Sequence, residues 1–472
     1  MSTGPRLGAD EWTTRISERQ DHLPSWLGTA SKAVARVGWW PRLALAGLAG
    51  AVLPLAGLGG FQLQVGIDAL VIALLAVGLN VVVGWTGLLD LGYIAFFGIG
   101  AYGFALLSSA QLGIHLPTYL SVPVVMIATA IIGIAVGLSS GRLTGDYLAI
   151  VTLFFGEAFV EFTNNVAPSK LGGPNGIVSI DPIKAFGTQL TTNTSYYYLL
   201  VIVLVLVMAV LRLLETSRTG RAWRAVREDP LAAAAMTIPV HRVRLYAFAT
   251  GAMVAALAGG IYAAQQVSVF PTDFDTPILI LLYAGLILGG AGSLAGAVTG
   301  ALVVMVIYDG VLRSPAEAGY LFYGMVLLTL LVKLRPWRRL AAVLAATVAL
   351  GFAAHAIVST ISHTAVASGP QSGGWIGSAL RYWVIVPANP KTFGNYGFVV
   401  LVCLLIALVQ VSPRWRTVLL PVVLYLASIV WEARLVGEPS ITRQLMIGAI
   451  LIVMMNARPQ GLFGQRRVEA PA

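Results

Sequence analysis

Long apolar runs separated by short polar segments occupy most of the chain. A helix that crosses a bilayer needs about 20 predominantly apolar residues, and on that criterion the pattern predicts about 14 transmembrane helices. We therefore expect an all-α, polytopic membrane protein. The predicted spans are residues 42–60, 62–84, 90–110, 118–140, 147–165, 196–214, 244–264, 276–290, 293–312, 318–334, 340–360, 395–411, 417–433 and 442–457.

The composition agrees with a membrane protein. Hydrophobic residues make up 57% of the 472 residues and charged residues only 11%, whereas soluble domains are about 25% charged. The net charge of +10 would suit a nucleic-acid-binding protein, but the arginines cluster in short loops and in both tails. The positive-inside rule explains such clusters, so we expect a lipid bilayer around the chain and no nucleic acid partner.

The distribution of basic residues also sets the orientation. If the N-terminus lies in the cytosol and the spans alternate, Arg142, residues 215–244 and the cluster at 333–339 all fall on the cytosolic side. The predicted outside loops, 166–195 and 361–394, are poor in arginine, as the rule requires. We therefore predict that the N- and C-termini are both cytosolic.

Glycines interrupt two of the predicted regions. They punctuate residues 90–110, and others between 289 and 300 separate the short spans 276–290 and 293–312. Small residues permit helices to approach closely, and breaks in a membrane helix can expose backbone groups to a transport pathway. The glycines therefore indicate either close helix packing or broken, re-entrant segments in these two regions.

Residues 215–244, here called the basic segment, form the longest strongly charged stretch between the two tails. Such a stretch cannot lie in hydrocarbon. Its pattern predicts a basic helix after Gly220 and a second short helix that Asp229 caps and Pro230 begins. Pro239 ends the second helix. On composition alone the segment is either a docking surface or an arginine-rich loop that obeys the positive-inside rule.

The sequence contains no motif for nucleotide hydrolysis, disulfide formation or metal binding. No GxxxxGK[ST] P-loop occurs, so we expect no ATPase site, no enzymatic activity and no cofactor bound by this chain. The single cysteine, Cys403, excludes an intramolecular disulfide, and the histidines show no metal-ligand spacing. If ATP drives transport through this chain, the motor must lie in another polypeptide.

Several motifs along the chain form an ordered set. They are GWTGLLDLGYIAFFGIGAY at residues 84–102, RLTGDYLAIVTL at 142–153, GGPNGI at 172–177, SRTGRAWRAVREDPLAAAAM at 217–236, LGGAGSLAG at 288–296 and RPQGLFG at 458–464. In this order they resemble the motifs of the LivH/LivM family, the branched-chain amino acid ABC transporter permeases. The second and third motifs point to the LivM type.

The resemblance implies a permease subunit that moves branched-chain amino acids into the cell across a bacterial inner (cell) membrane. It also implies a homologous second permease, two cytosolic ABC ATPase subunits that hydrolyse the ATP, and an extracytoplasmic substrate-binding protein. The basic segment would be the coupling loop that contacts an ATPase. The residues assigned to ATPase coupling are Arg218, Gly220, Arg221, Arg224, Arg227, Glu228, Asp229, Pro230 and Ala234.

Polar residues at membrane depth are the candidates for the substrate pathway. Glu157 lies about 16 Å along the helix that Asp146 begins, and Glu161 follows one turn later on the same face. With Asn164 they form a polar stripe, which either lines the pathway and binds a substrate ammonium group or makes hydrogen bonds between helices. Asp90 either lies in the pathway or caps the next helix. The pathway candidates are Asn80, Thr86, Asp90, Tyr93, Phe97, Glu157, Glu161 and Asn164.

The chain is expected to comprise four regions. These are a cytosolic tail over 1–40, a permease core over 41–334, an extra three-span region over 335–441, and a terminal helix with a cytosolic tail over 442–472. The extra region includes the predicted outside loop 361–394 and has no counterpart in the family pattern.

Two other functions stay open on the sequence. The same class of importer could carry urea or short amides, because in such systems the binding protein provides most of the selectivity. A secondary transporter driven by an ion gradient would use Glu157 and Glu161 as proton or sodium carriers, but it would leave the basic segment unexplained.

Overall fold

The computed structural model of the chain describes most residues between 38 and 463. Several predicted features lie partly outside the described residues. They are residues 1–37 of the predicted N-terminal tail 1–40, the motif residues 142–145, residues 362–373 of the predicted outside loop and the residues after 463. The described ranges are 38–57, 59–140, 146–166, 168–185, 187–313, 315–334, 337–361, 374–386, 389–410, 413–437, 439–457 and 461–463.

Helices dominate the described part of the chain. The first half contains α1 (Trp39–Val52), α2 (Gly60–Leu79), α3 (Tyr93–Leu107), α4 (Thr118–Ser140), α5 (Asp146–Asn165), α6 (Pro168–Leu171), α7 (Asn193–Thr216), α8 (Arg218–Glu228) and α9 (Pro230–Ala235). The second half contains α10 (Val240–Gln266), α11 (Thr276–Gly289), α12 (Leu294–Met305), α13 (Pro315–Lys333), α14 (Trp337–Ile361), α15 (Gly374–Leu380), α16 (Pro390–Gln410), α17 (Pro413–Gly437) and α18 (Pro439–Ala457).

Within the described residues, ten helices are long and apolar enough to cross a membrane. Shorter apolar helices over Tyr93–Leu107, Glu317–Leu331 and Thr442–Met455 stand where further spans are predicted, and α1 overlaps the first predicted span. The expectation of an all-α, multi-pass membrane protein is confirmed. The number of 14 crossings and the side on which the termini lie stay predictions.

Helix α2 forms the centre of the core. Its residues from Ala69 to Leu79 are all buried, and it packs against α7, α10 and α12. A helix that is apolar on every side belongs in an interior rather than at an edge. The uninterrupted apolar run of this helix therefore accounts for its central position.

Helix α3 continues through its glycines without a break and packs along α10 and α4. Gly259 of α10 faces the backbone of Phe97 and Ala101, and a methyl group there would overlap both. A methyl group at the next residue, Gly260, would make an ordinary contact with Phe104. The small residues in this part of the core therefore allow two helix backbones to approach closely.

Two helical segments are interrupted close to each other. Helix α2 continues as the π-helical segment Asn80–Trp85 and then unwinds at Gly87, which has φ +71°. Helices α11 and α12 pack against each other and are joined by a tight turn in which Gly290 and Gly292 have φ of +105° and +100°. Glycine adopts such angles readily because it has no Cβ. A second π-helical segment, Val306–Val311, follows α12.

The described residues include two short antiparallel pairs of strands in the connections between helices. β1 (Ile177–Val178) pairs with β4 (Ser268–Val269) and thereby ties the segment after α6 to the end of α10. β2 (Lys184–Ala185) pairs with β3 (Thr188–Gln189) in the connection that leads to α7.

The extra region attaches to α13 through aromatic residues of α17. The rings of Phe322 and Trp431 stack with centroids 4.4 Å apart. Tyr323 donates a hydrogen bond of 3.2 Å to the buried carboxylate of Glu432. Carboxylates in membrane helices require such partners. Helix α18, which follows the extra region, returns to the core and packs on α11.

Replacing Gly259 with Ala is expected to lower the free energy of unfolding by about 1–3 kcal/mol, because the added methyl group overlaps the backbone of α3. Gly260→Ala adds the same group at normal contact distance and should stay within about 0.5 kcal/mol of the wild type. Thermal unfolding of the two purified variants in detergent compares them. Equal stability of the two variants would contradict the packing described.

Candidate functional site

The basic segment folds as the two short helices that its sequence predicts, α8 and α9. Ser217 caps α8 by accepting a hydrogen bond from the Gly220 amide. Asp229 caps α9, because its Oδ1 accepts from the amides of Leu231 at 2.8 Å and Ala232 at 3.1 Å. Pro230 occupies the first position of α9, where no amide hydrogen is needed.

Helix α8 is anchored to the core by its apolar side. Trp223 and Val226 are each 1% exposed. The Trp223 indole donates a hydrogen bond of 2.9 Å to the Val243 carbonyl and stacks on Trp85 with ring centroids 5.7 Å apart. Gly220 is buried as well, and a side chain there would overlap the end of α7. The helix is therefore a fixed part of the structure and not a loose basic loop.

Arginines at the start of α8 bind the last turn of α7. Arg221 Nη1 donates to the Thr216 carbonyl at 2.9 Å, and Arg224 Nη2 donates to the Glu215 carbonyl at 3.1 Å. Cations and their hydrogen bonds are favourable at a helix C-terminus. Arg218 lies exposed on the surface.

Arg227 is the arginine of α8 that reaches into the core. Its Nη1 donates to the carbonyl of Gly84 in the π-helical segment, and its guanidinium lies against Gly292. Gly84 is buried, and a buried backbone carbonyl needs a hydrogen-bond partner. Arg227 provides that partner and links the basic segment to the end of α2.

The π-helical segment also binds the glycine turn directly. The Gly292 amide donates to Asn80 Oδ1 at 2.7 Å, and the Trp85 indole donates to the Gly292 carbonyl at 3.1 Å. Asn80, Trp85 and Gly84 are buried. We call the segment Asn80–Trp85, the turn 289–293 and Arg227 the inner junction. It joins two interrupted membrane segments to the basic segment.

The other predicted pathway residues near this junction are also buried. Thr86 donates to the Val82 carbonyl at 2.5 Å. Asp90 Oδ1 accepts a hydrogen bond of 3.0 Å from the Gly92 amide and thereby stabilises the turn before α3. Tyr93 donates to the Gly251 carbonyl of α10 at 3.0 Å. These side chains hold the break in place within the chain.

The connection between the break and α5 runs through Thr152. Its hydroxyl accepts a hydrogen bond of 2.9 Å from the Leu91 amide. Gly92 lies so close to the Thr152 carbonyl that a side chain there would overlap it. Helix α5, which carries the predicted polar stripe, is therefore attached directly to the segment that follows the inner junction.

Phe97 lies away from the inner junction in an aromatic cluster. Its ring centroid is 5.3 Å from that of Tyr262 and 5.2 Å from that of Phe274. Tyr102 and Phe159 contact Phe274 in the same cluster, each at 5.9 Å. The cluster packs α3, α5 and α10 around the segment before α11.

The polar stripe on α5 faces the surface of the chain. Glu157 is exposed and accepts a hydrogen bond from the Thr276 hydroxyl at the start of α11. Glu161 is exposed and accepts from Asn165 at 2.5 Å, while Asn164 is half-buried. The predicted pathway residues therefore form two groups, one buried at the inner junction and one exposed on α5.

The structure adds functional candidates that the sequence reasoning missed. Leu231 is 83% exposed and Met236 74% exposed at the two ends of α9. Ala234 is exposed between them, whereas Ala233 is buried. Apolar residues inside a segment that must lie in water could have indicated this surface. No local signal in the sequence pairs Gly292 with Asn80.

Comparisons with known proteins identify relatives of the chain. The chain is 35% identical over 289 residues to the high-affinity branched-chain amino acid transport system permease protein LivM of Salmonella typhimurium. The alignment covers 56% of this chain and 66% of that protein. It is 27% identical over 245 residues to LivH of the same organism, and the alignment covers 49% of this chain and 79% of LivH. It is 29% identical over 245 residues to the autoinducer 2 import system permease protein LsrC of Escherichia coli, and the alignment covers 47% of this chain and 66% of LsrC. No solved structure matches the chain.

A family model also matches the core that contains the inner junction. The matched residues are 61–331, and the family is described as the permease component of branched-chain amino acid transport systems. The match begins in α2 and ends in α13, so it leaves out the extra region and α18. Because it covers more than half of the 472 residues, the chain belongs to the family of branched-chain amino acid transport system permease components.

Proposed function

We propose that the chain is a permease subunit of an ABC importer that moves branched-chain amino acids across a bacterial inner membrane. It acts with a homologous second permease, two cytosolic ATPase subunits and an extracytoplasmic substrate-binding protein. The family membership and the functions that LivM and LivH are named for support the substrate and the second permease. The partner ATPases hydrolyse ATP, and this chain has no ATPase site or bound cofactor of its own.

The observation that carries the proposal is the contrast between α8 and α9. Helix α8 is held in the core by Trp223 and Arg227, whereas α9 exposes Leu231 and Met236. Exposed apolar side chains beside a basic surface are typical of a binding site for another protein. In the proposed importer, α9 inserts into a groove of the ATPase and α8 carries the displacement into the membrane.

The inner junction provides a physical route for that displacement. A push on α8 acts through Arg227 on Gly84 and through Trp223 on Trp85, both in the π-helical segment. The segment is bonded to the turn after α11 and followed by the break that contacts α5. A movement of the basic segment therefore acts on α2, α11 and α5 together.

The exposed stripe on α5 is the proposed contact with substrate or with the second permease. A carboxylate on a membrane helix is costly when it faces lipid, so Glu157 requires a polar partner beyond Thr276. Asp275 lies close enough for its charge to interact with that of Glu157. Two carboxylates beside the start of α11 attract a cation, which in an amino acid is the ammonium group.

Replacing Leu231 and Met236 together with Ser should abolish ATP-driven uptake by the reconstituted complex, because it removes the exposed apolar contact of α9. The fold should be retained, since both side chains are largely exposed. The matched control is Leu112→Ser with Ile114→Ser, which removes two exposed apolar side chains outside the basic segment and should retain uptake. Uptake of radiolabelled leucine and ATP hydrolysis are measured in the same vesicles.

The result that contradicts this assignment is wild-type uptake by the double variant. Gradient-driven uptake by the isolated chain, without any ATPase subunit, would contradict the whole proposal and favour a secondary transporter. Binding assays with the partner binding protein compare leucine, isoleucine and valine with urea and short amides.

Glu157→Gln should reduce the uptake rate about tenfold, which corresponds to about 1.4 kcal/mol, because the neutral amide lacks the charge that attracts a substrate ammonium group. Glu317→Gln, at an exposed carboxylate on α13, is the matched control and should leave uptake unchanged. If Glu157→Gln instead lowers thermal stability with an unchanged uptake rate, the carboxylate serves helix packing and not the pathway.

A further inference from the structure

The C-terminal end of α11 is completed by a segment far away in sequence. The Leu462 amide donates to the Leu288 carbonyl at 2.9 Å, and the Phe463 amide donates to the Gly289 carbonyl at 2.8 Å. The last carbonyls of a helix have no partner within the helix. Residues 461–463, here called the strap, provide the partners that the glycine turn cannot.

The geometry of the strap depends on Gly461. This residue has φ +74°, and a Cβ on it would lie 2.6 Å from Gly290 Cα and 2.7 Å from the Ile287 carbonyl oxygen. A side chain at this position is excluded both by the backbone conformation and by the close contact. The strap therefore rests directly on the backbone of the glycine turn.

Burial of apolar side chains does not explain the strap. Leu462 is 41% exposed and Phe463 53% exposed, while the backbone of both residues is hydrogen-bonded to α11. The contact is made by main-chain groups, which fix position and direction more than they contribute apolar stabilisation. This points to a positioning role.

The position that the strap fixes belongs to the inner junction. The strap contacts Gly290, and two residues further on Gly292 bonds Asn80 and Trp85 and touches Arg227. The same short turn is thus held by the strap and by the basic segment.

We propose that the strap is a positioning element that stiffens the turn after α11, so that displacement of α8 moves α11 instead of bending the turn. This rests on the proposed function. It extends the coupling machinery from the basic segment to residues 461–463, which follow the extra region in the chain. The positioning residue is Gly461, which acts through the Gly290 backbone and not on the substrate.

The test compares Gly461→Ala with Gly448→Ala in the assembled, reconstituted complex. A methyl group at Gly448, in α18, meets no atom within 4 Å, so this variant is the matched control. Gly461→Ala should lower the number of leucine molecules transported per ATP about tenfold while ATP hydrolysis continues. Leu462→Ala and Phe463→Ala keep the backbone amides and should retain more than about half of the wild-type ratio.

Hydrogen exchange at the amides of residues 290–293 provides a second readout that does not require transport. Gly461→Ala should accelerate it at least tenfold relative to Gly448→Ala. An unchanged number of leucine molecules per ATP in Gly461→Ala would overturn the proposal, and so would unchanged exchange at residues 290–293. Failure of this variant to assemble with its partner subunits, without faster exchange at the turn, would overturn it as well. If the wild-type complex shows no ATP-driven uptake, the proposed function fails, and the exchange difference still tests the strap.

Discussion

The hydrogen bond from Arg227 to the Gly84 carbonyl is the interaction on which the rest of the site depends. A membrane helix that changes from α to π geometry and then unwinds leaves backbone groups without their usual partners, and hydrocarbon cannot replace them. Here a guanidinium from the basic segment provides the donor, and the Asn80 side chain and the Trp85 indole bind the neighbouring glycine turn. The break is stable because a charged helix lies against it.

The permease core combines tightly packed helices with the hydrogen-bonded inner junction. Apolar packing, such as the fully buried middle of α2 and the close approach of α3 to α10, makes most of the core stiff. The inner junction is held by directional hydrogen bonds that join Arg227, the π-helical segment and the glycine turn. In the proposed importer, these bonds carry movement of the basic segment to α2 and α11 without loosening the surrounding helices.

Local properties of the chain could be predicted from its sequence, and long-range pairings could not. The apolar run predicted over 147–165 became α5, Asp146–Asn165, and Asp229-Pro230 began α9 as its cap chemistry requires. Nothing local distinguishes Arg227 from the other arginines of α8. The partners of Gly292 and of the strap lie far away in sequence, so composition and periodicity carry no information about them.

The central claim is that the basic segment and the break after α2 move as one body. The most direct measurement places spin labels at Thr219, half-buried on α8, and at the exposed Leu89, in a chain with Cys403 replaced by Ser, and compares their distance in nucleotide-free and ATP-bound complexes. A third label at Leu120, at the start of α4, reports movement relative to the core. We predict that the distance from 219 to 89 changes by less than about 2 Å while that from 219 to 120 changes by more. A change of about 5 Å or more between 219 and 89 would contradict the claim.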